Sequence, residues 1–296
     1  MEKKYQRTDL ACEANVDLAH IEGTEYSVED KDICIIERLD ILTDGAAEHL
    51  GKEMGSYVTV STPRIQYLGD NEINELSEII GKEIKGILLK TTGREKITPD
   101  FSVMVAGLGN RDITADAVGP LTADNITVTR HLSSQSPSLF DLLGLCSVSA
   151  ISPSVLGKTG IESAETIKYT VASTKPHALI IIDALAARST ERLARTFQIS
   201  DTGITPGAGI GNNRETLSKN TLGIPVVSIG IPTVVDTATL VFDALISAGI
   251  SSVTENIDAL LQASENLFVT PKDTDEIIKK AVRLLSASID LALVIS

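Results

Sequence analysis

Three short apolar runs constrain this chain more than any other feature. They are Phe101-Ser102-Val103-Met104-Val105-Ala106, Ala178-Leu179-Ile180-Ile181-Ile182 and Val226-Val227-Ser228-Ile229. Each is apolar at consecutive rather than alternate positions, which is how a strand covered on both faces reads. Segments of helical character follow them, at about 114–125, 163–175 and 233–247. Strands alternating with helices imply parallel strands joined by crossovers. The expected fold class is therefore α/β, a mostly parallel central sheet with helices on both faces over residues 96–296. Residues 10–95 add a smaller N-terminal α+β portion to what reads as one domain over 10–296.

That portion has strand character at 33–41 and 57–60, a short helix at 45–51 and a strongly amphipathic helix at 71–90. Near the C-terminus Asp273-Thr274-Asp275-Glu276 reads as an N-cap with an acidic residue three positions on. Ile277, Ile278, Ala281, Val282, Leu284, Leu285 and Ile289 then form an apolar stripe. Two stretches lack a period: the first twenty-two residues, expected to be a flexible arm, and residues 200–222, a long irregular connection of the kind that often carries function.

Composition excludes several functions. The 296 residues hold 26 Lys and Arg against 40 Asp and Glu, a formal charge of −14, so a broad electrostatic grip on nucleic acid or anionic lipid is not expected. With no Trp and 3% aromatics, base-stacking platforms are not expected either. Cys12, Cys34 and Cys146 form no C-x-x-C pair, and His20, His49, His131 and His177 are scattered, so no metal or organic cofactor is expected. No secretory signal opens the chain, and its most apolar stretch, 178–187, is too short to span a bilayer and contains Asp183. A soluble intracellular protein is expected.

Familiar nucleotide motifs start and then fail. Gly107-Leu108-Gly109 would need glycine at Asp112 to continue as a dinucleotide fingerprint. Gly207-Ala208-Gly209 follows no strand, and Gly157-Lys158-Thr159 has Ser152 where a P-loop begins. No nucleophile elbow is present. Two carboxylates remain prominent by position. Asp183 closes the second apolar run, and Asp116 follows the first run where a helix should start. In a parallel sheet the carboxyl ends of strands share one edge, so residues 67 positions apart can meet there. Two carboxylates sharing one proton can activate water and protonate a leaving amine. Helix capping by Asp116 and loop anchoring by Asp183 are the competing structural roles. Asp236 fits a capping box three residues after Thr233.

Several blocks resemble the spore germination proteases of endospore-forming bacteria. They are Arg7-Thr8-Asp9-Leu10-Ala11, Gly107-Leu108-Gly109-Asn110, Asp116-Ala117-Val118-Gly119-Pro120, Thr129-Arg130-His131-Leu132, Asp183-Ala184-Leu185-Ala186-Ala187-Arg188, Gly230-Ile231-Pro232-Thr233-Val234-Val235-Asp236 and Val269-Thr270-Pro271-Lys272. The resemblance implies an endopeptidase that degrades small acid-soluble spore proteins in the spore core, with a fold like that of hydrogenase maturation endopeptidases. It implies a self-processing zymogen and a homotetramer. The family's catalytic aspartates fall on Asp116 and Asp183, and Asn110, Arg188 and Asp236 become candidates for support. Ala115 stands where the family usually has Pro.

The family cuts after an acidic residue in a motif like Thr-Glu-Phe/Ile-Ala-Ser-Glu. Thr8-Asp9-Leu10-Ala11-Cys12-Glu13 has the same shape, so residues 1–9 are expected to be a propeptide removed by cleavage between Asp9 and Leu10. Two other readings use the same residues differently: a nickel-dependent maturation peptidase, which would want a third ligand such as His where none follows His177, and a non-catalytic module that binds spore proteins.

Overall fold

The computed structural model describes residues 7–13, 18–207, 215–250, 254–264 and 267–295. Gly207-Ala208-Gly209 lies largely outside them, as does the first part of the expected propeptide. The elements run β1 (Thr24–Lys31), β2 (Cys34–Ile41), α1 (Asp44–Leu50), β3 (Gly55–Ser61), α2 (Asp70–Thr92), β4 (Ser102–Gly107), α3 (Val118–Asp124), α4 (Leu132–Gln135) and α5 (Pro137–Leu143). They continue with β5 (Ser147–Ile151), α6 (Leu156–Thr159), α7 (Ser163–Thr174), β6 (Ala178–Ala187), β7 (Thr196–Ser200), α8 (Lys219–Leu222), β8 (Val226–Asp236), α9 (Thr237–Ser247), α10 (Glu255–Ala263), β9 (Phe268–Val269) and α11 (Thr274–Ala292).

One sheet holds all the described strands, in the order β1-β2-β3-β7-β8-β6-β4-β5, with β9 on β8. The strands β4, β6 and β8 are parallel, as the three apolar runs predict, and β5, which no apolar run announces, joins them in parallel on β4. From β8 outward the pairing turns antiparallel through β7, β3, β2 and β1. The N-terminal α+β portion thus extends the central sheet edge to edge. β1, Thr-Glu-Tyr-Ser-Val-Glu-Asp-Lys, is an edge strand that sequence periodicity misses because its charged side chains face solvent on a strand with one partner.

Period two along the central strands divides the core. Val103, Val105, Ile180, Ile182, Val227 and Ile229 face α2 and α11, whose own stripes include Ile80, Ile84, Leu284 and Leu285. Met104, Ala106, Leu179 and Ile181 face the other way, onto Ala164, Ile167 and Val171 of α7. Helices therefore cover both faces, as expected. Among the described residues, no helix is long and apolar enough to cross a membrane.

Three expectations need correction. Asp183 does not close its strand: β6 continues to Ala187, so the carboxylate sits mid-strand. The helix expected from Thr233 starts at Thr237, because β8 runs on to Asp236. Pro232 suggests a strand end, but the register between β6 and β8 slips at that point, pairing Leu185 with Pro232 and Ala186 with Val234 and leaving Thr233 as a bulge. A bulge tolerates proline and lets pairing resume beyond it. Finally, the described part of the N-terminal arm is docked: Leu10 is fully buried, and Ala11 is nearly so.

Candidate active site

The first βα turn is built on glycines that permit close approach. A Cβ on Gly119 at the start of α3 would lie 2.1 Å from the Leu108 carbonyl oxygen and 2.6 Å from that of Ile182. The bare backbone lets α3 lie directly on β4 and β6, where the Leu108 amide donates to the Ile182 carbonyl at 2.8 Å. Gly109 has φ +116°, and a Cβ there would fall 2.1 Å from the carbonyl oxygen of Asp116. Only glycine fits this turn without distortion. The glycines that suggest a dinucleotide fingerprint thus serve to bring residues 114–116 against the sheet.

Those residues form a single 3-10 turn ahead of α3, packed on β6 and β8. The Asp116 carboxylate accepts the Asn110 amide at 2.7 Å. It is half-buried and faces a cleft of about 860 Å³. Asp183 lines the same cleft from mid-β6, 7% exposed, with one oxygen accepting the Ala184 amide at 3.0 Å. The structure brings both sequence-predicted aspartates to one cavity. Thr233, the bulge residue, also lines it.

The remaining candidates lie around the cleft, not on its wall. Asn110 holds Asp116 through its backbone, while its side chain accepts the Asp112 amide. Arg188 grips Asp243 bidentately at 2.7 Å on both contacts, which holds its guanidinium pKa above the ordinary value. Asp236 is itself the N-cap of α9, accepting the Thr239 amide at 2.9 Å and the Thr239 hydroxyl at 3.0 Å. It also lies 3.9 Å from the Arg7 guanidinium. Among the described residues, no three His, Cys, Asp or Glu side chains form a group suited to hold a metal ion.

The N-terminal arm enters the same cavity, and five of its six motif positions, Thr8 to Ala11 and Glu13, make the following contacts. Asp9 makes two hydrogen bonds to Ala186, one through its backbone and one through its side chain. Its amide donates to the Ala186 carbonyl at 3.0 Å, and its carboxylate accepts the Ala186 amide at 2.8 Å. Leu10 packs among Leu185, Ala187, Leu193 and Val235. Leu185 and Ala187 follow Asp183 at period two, so the apolar pocket and the carboxylate share one face of β6. The Thr8 hydroxyl accepts the Leu10 amide at 3.0 Å and donates to Glu13. The Ala11 amide donates to the Gln198 side chain at 2.6 Å. Glu13 is held by two successive backbone amides, Arg188 at 2.7 Å and Ser189 at 2.9 Å.

Sequence reasoning misses the receiving side of these contacts. Backbone amides carry no sequence signal, and Lys52 and Gln198, which also touch the arm, stand in stretches to which the sequence pattern assigns no element; Gln198 lies in β7, a strand the pattern does not announce.

The model of the germination protease family matches residues 2–248 of this sequence. The chain belongs to that family. The germination protease of Caldanaerobacter subterraneus subsp. tengcongensis is 39% identical over 97% of this chain and 94% of its own length. That of Clostridium acetobutylicum is 37% identical over the same shares. That of Geobacillus sp. (strain WCH70) is 42% identical over 81% of this chain and 66% of the relative. Among solved structures, the NiFe hydrogenase maturation protease HycI from Thermococcus kodakarensis KOD1 aligns with 68% of this chain and 98% of its own, at 18% identity and a TM-score of 0.36. Membership of the germination protease family makes the chain a peptidase and bears out the resemblance read from the sequence blocks.

Proposed function

We propose that this protein is the endopeptidase that begins degradation of small acid-soluble spore proteins at germination, cutting after an acidic residue with Asp116 and Asp183 as its acid–base pair. The observation that carries this reading is the arm: a segment with the substrate pattern lies in the cavity that both aspartates line. The acidic residue ahead of the bond, the apolar residue after it and the distal Glu13 each have a matching receiver.

In the proposed reaction the two carboxyls share one proton and titrate as a unit. The ionised member takes a proton from water as the water oxygen bonds to the carbonyl carbon of the acidic residue. When the C–N bond breaks, the protonated member gives its proton to the leaving nitrogen, producing a new carboxyl end and a new amine. Applied to the arm, the same chemistry cuts between Asp9 and Leu10, releasing residues 1–9 and leaving residues 10–13 as a new N-terminus that must withdraw before substrate takes their place. The protein is then a zymogen whose inhibitor is its own first substrate.

The spore core is the compartment this role implies, with spore proteins as partners and the homotetramer as the assembly state. A charge of −14 suits an enzyme that attacks DNA-binding proteins without binding DNA itself. Incubation with a synthetic Thr-Glu-Ile-Ala-Ser-Glu peptide separates turnover from mere binding, and N-terminal sequencing of matured protein reads the processing point. A mature start at any residue other than Leu10, or an intact peptide, overturns the reading.

A further inference from the structure

The backbone carbonyl of Asp9 carries two side-chain donors from separate parts of the fold. Lys52 Nζ lies 2.9 Å from this oxygen and Gln198 Nε2 lies 3.1 Å away. Both residues line the cavity shared by Asp116 and Asp183. From these contacts we infer that Lys52 and Gln198 are catalytic residues that form the oxyanion site, stabilising the negative charge that develops on the scissile carbonyl oxygen. This rests on the proposed cut between Asp9 and Leu10.

Each donor is set in place by rigid surroundings. Lys52 follows the αL residue Gly51 (φ 66°) that ends α1, and its own amide donates to the Ala47 carbonyl at 3.1 Å. The cap turns the chain so that the ammonium reaches into the cleft, where it also lies 3.4 Å from the Thr8 carbonyl oxygen. Burial pulls the Lys52 pKa below its usual value, with Asp9, Cys12 and Glu13 pulling the other way. Gln198 sits in β7 between β3 and β8, at the register of Thr59 and Gly230. Its amide straddles residue 10: Oε1 accepts the Ala11 N–H while Nε2 donates to the Asp9 carbonyl. These two bonds fix which end of the amide points at the reacting oxygen.

During hydrolysis the carbonyl π-electrons move onto this oxygen as the water oxygen bonds to carbon, and they return when the C–N bond breaks. A cation and an amide N–H already aimed at that atom stabilise the charged intermediate more than the neutral peptide, and lower the barrier. Donors at 2.7–3.1 Å of this kind are each worth roughly 10²–10³ in kcat. Lys52 and Gln198 do not supply or remove the reaction's protons, which remain with the aspartate pair.

The test uses the full chain carrying Lys52→Met or Gln198→Leu, with melting temperatures checked against wild type. Hydrolysis of the Thr-Glu-Ile-Ala-Ser-Glu peptide is expected to lose roughly 10²-fold in kcat with KM within about threefold. Lys52→Arg, which keeps a cationic donor, is expected to recover much of the rate. A raised KM with unchanged kcat overturns the inference, because the two residues would then only hold the segment. Wild-type maturation and Asp183→Asn are run alongside. Normal kcat in both donor variants, with maturation at Leu10 and an inactive Asp183→Asn, sinks the oxyanion site and leaves the aspartate pair standing. An active Asp183→Asn with the donor variants impaired does the reverse. Maturation that starts elsewhere overturns both.

Discussion

Replacing Leu10 by alanine measures what holds the arm in the cleft. The leucine is fully buried among Leu185, Ala187, Leu193 and Val235. The change removes three carbon atoms from that contact, and at about 0.8 kcal/mol per buried methylene the docked state loses about 2.4 kcal/mol. At about 1.4 kcal/mol per decade this lowers the ratio of docked to released arm by about 50-fold. The comparison belongs in an Asp183→Asn background, so that cleavage does not intervene. Amide exchange provides the readout: the Asp9 amide is bonded to the Ala186 carbonyl and the Ala11 amide to Gln198. Both are expected to lose about 50-fold in protection while the buried turns of α2 keep theirs. Unchanged protection at Asp9 and Ala11 refutes the argument that apolar burial of residue 10 anchors the arm. An equal loss in α2 would show that Leu10 stabilises the whole fold instead of a local docking step.

Asp116→Asn and Asp183→Asn are each expected to cut self-processing and peptide hydrolysis by roughly 10²–10⁴-fold, seen as persistence of the full-length band and intact peptide. Gly109→Ala puts a Cβ 2.1 Å from the Asp116 carbonyl oxygen at φ +116°, so denaturant unfolding should show a loss above about 2 kcal/mol together with lost activity; a neutral result would mean that the turn is free to shift. Burial raises the Asp290 carboxyl above the usual carboxylate range, although the Thr127 amide and hydroxyl lower it in part. A raised folded pKa means that this group's contribution is fully present below the ordinary carboxylate pKa and is lost as pH rises through the raised value. Asp290→Asn is therefore expected to raise the melting temperature at neutral pH, with the gain fading in acid; a gain that persists in acid would contradict the assignment.

Much of this protein was legible in the residues alone. Apolar runs at 103–106 and 178–182, and at 226–229 with only Ser228 interrupting, dictate strands covered on both faces, because a strand with one wet face must alternate. The stripes of α2 and α11 announce the helices that cover one of those faces. Asp183 stands out for the same reason, as a charge in a run that otherwise excludes water. The hexapeptide Thr8–Glu13 became legible through its resemblance to the cleavage motif of the germination proteases, not through any local period.

Tertiary structure decided the rest. The extension of β6 and β8 past Asp183 and Pro232 depends on a register slip between two strands whose paired residues Leu179 and Val226 are 47 positions apart in the sequence, and no local pattern encodes it. The docking of the arm depends on amides of Ala186, Arg188 and Ser189 and on a pocket shared between β6 and β8, none of which bears a residue-type signature. Lys52 and Gln198 reach the same carbonyl oxygen only because antiparallel pairing carries the N-terminal strands across β7 to the rim of the parallel core. Short-range periodicity reports which face of an element is dry, whereas convergence of side chains from distant elements is a property of how those elements are paired.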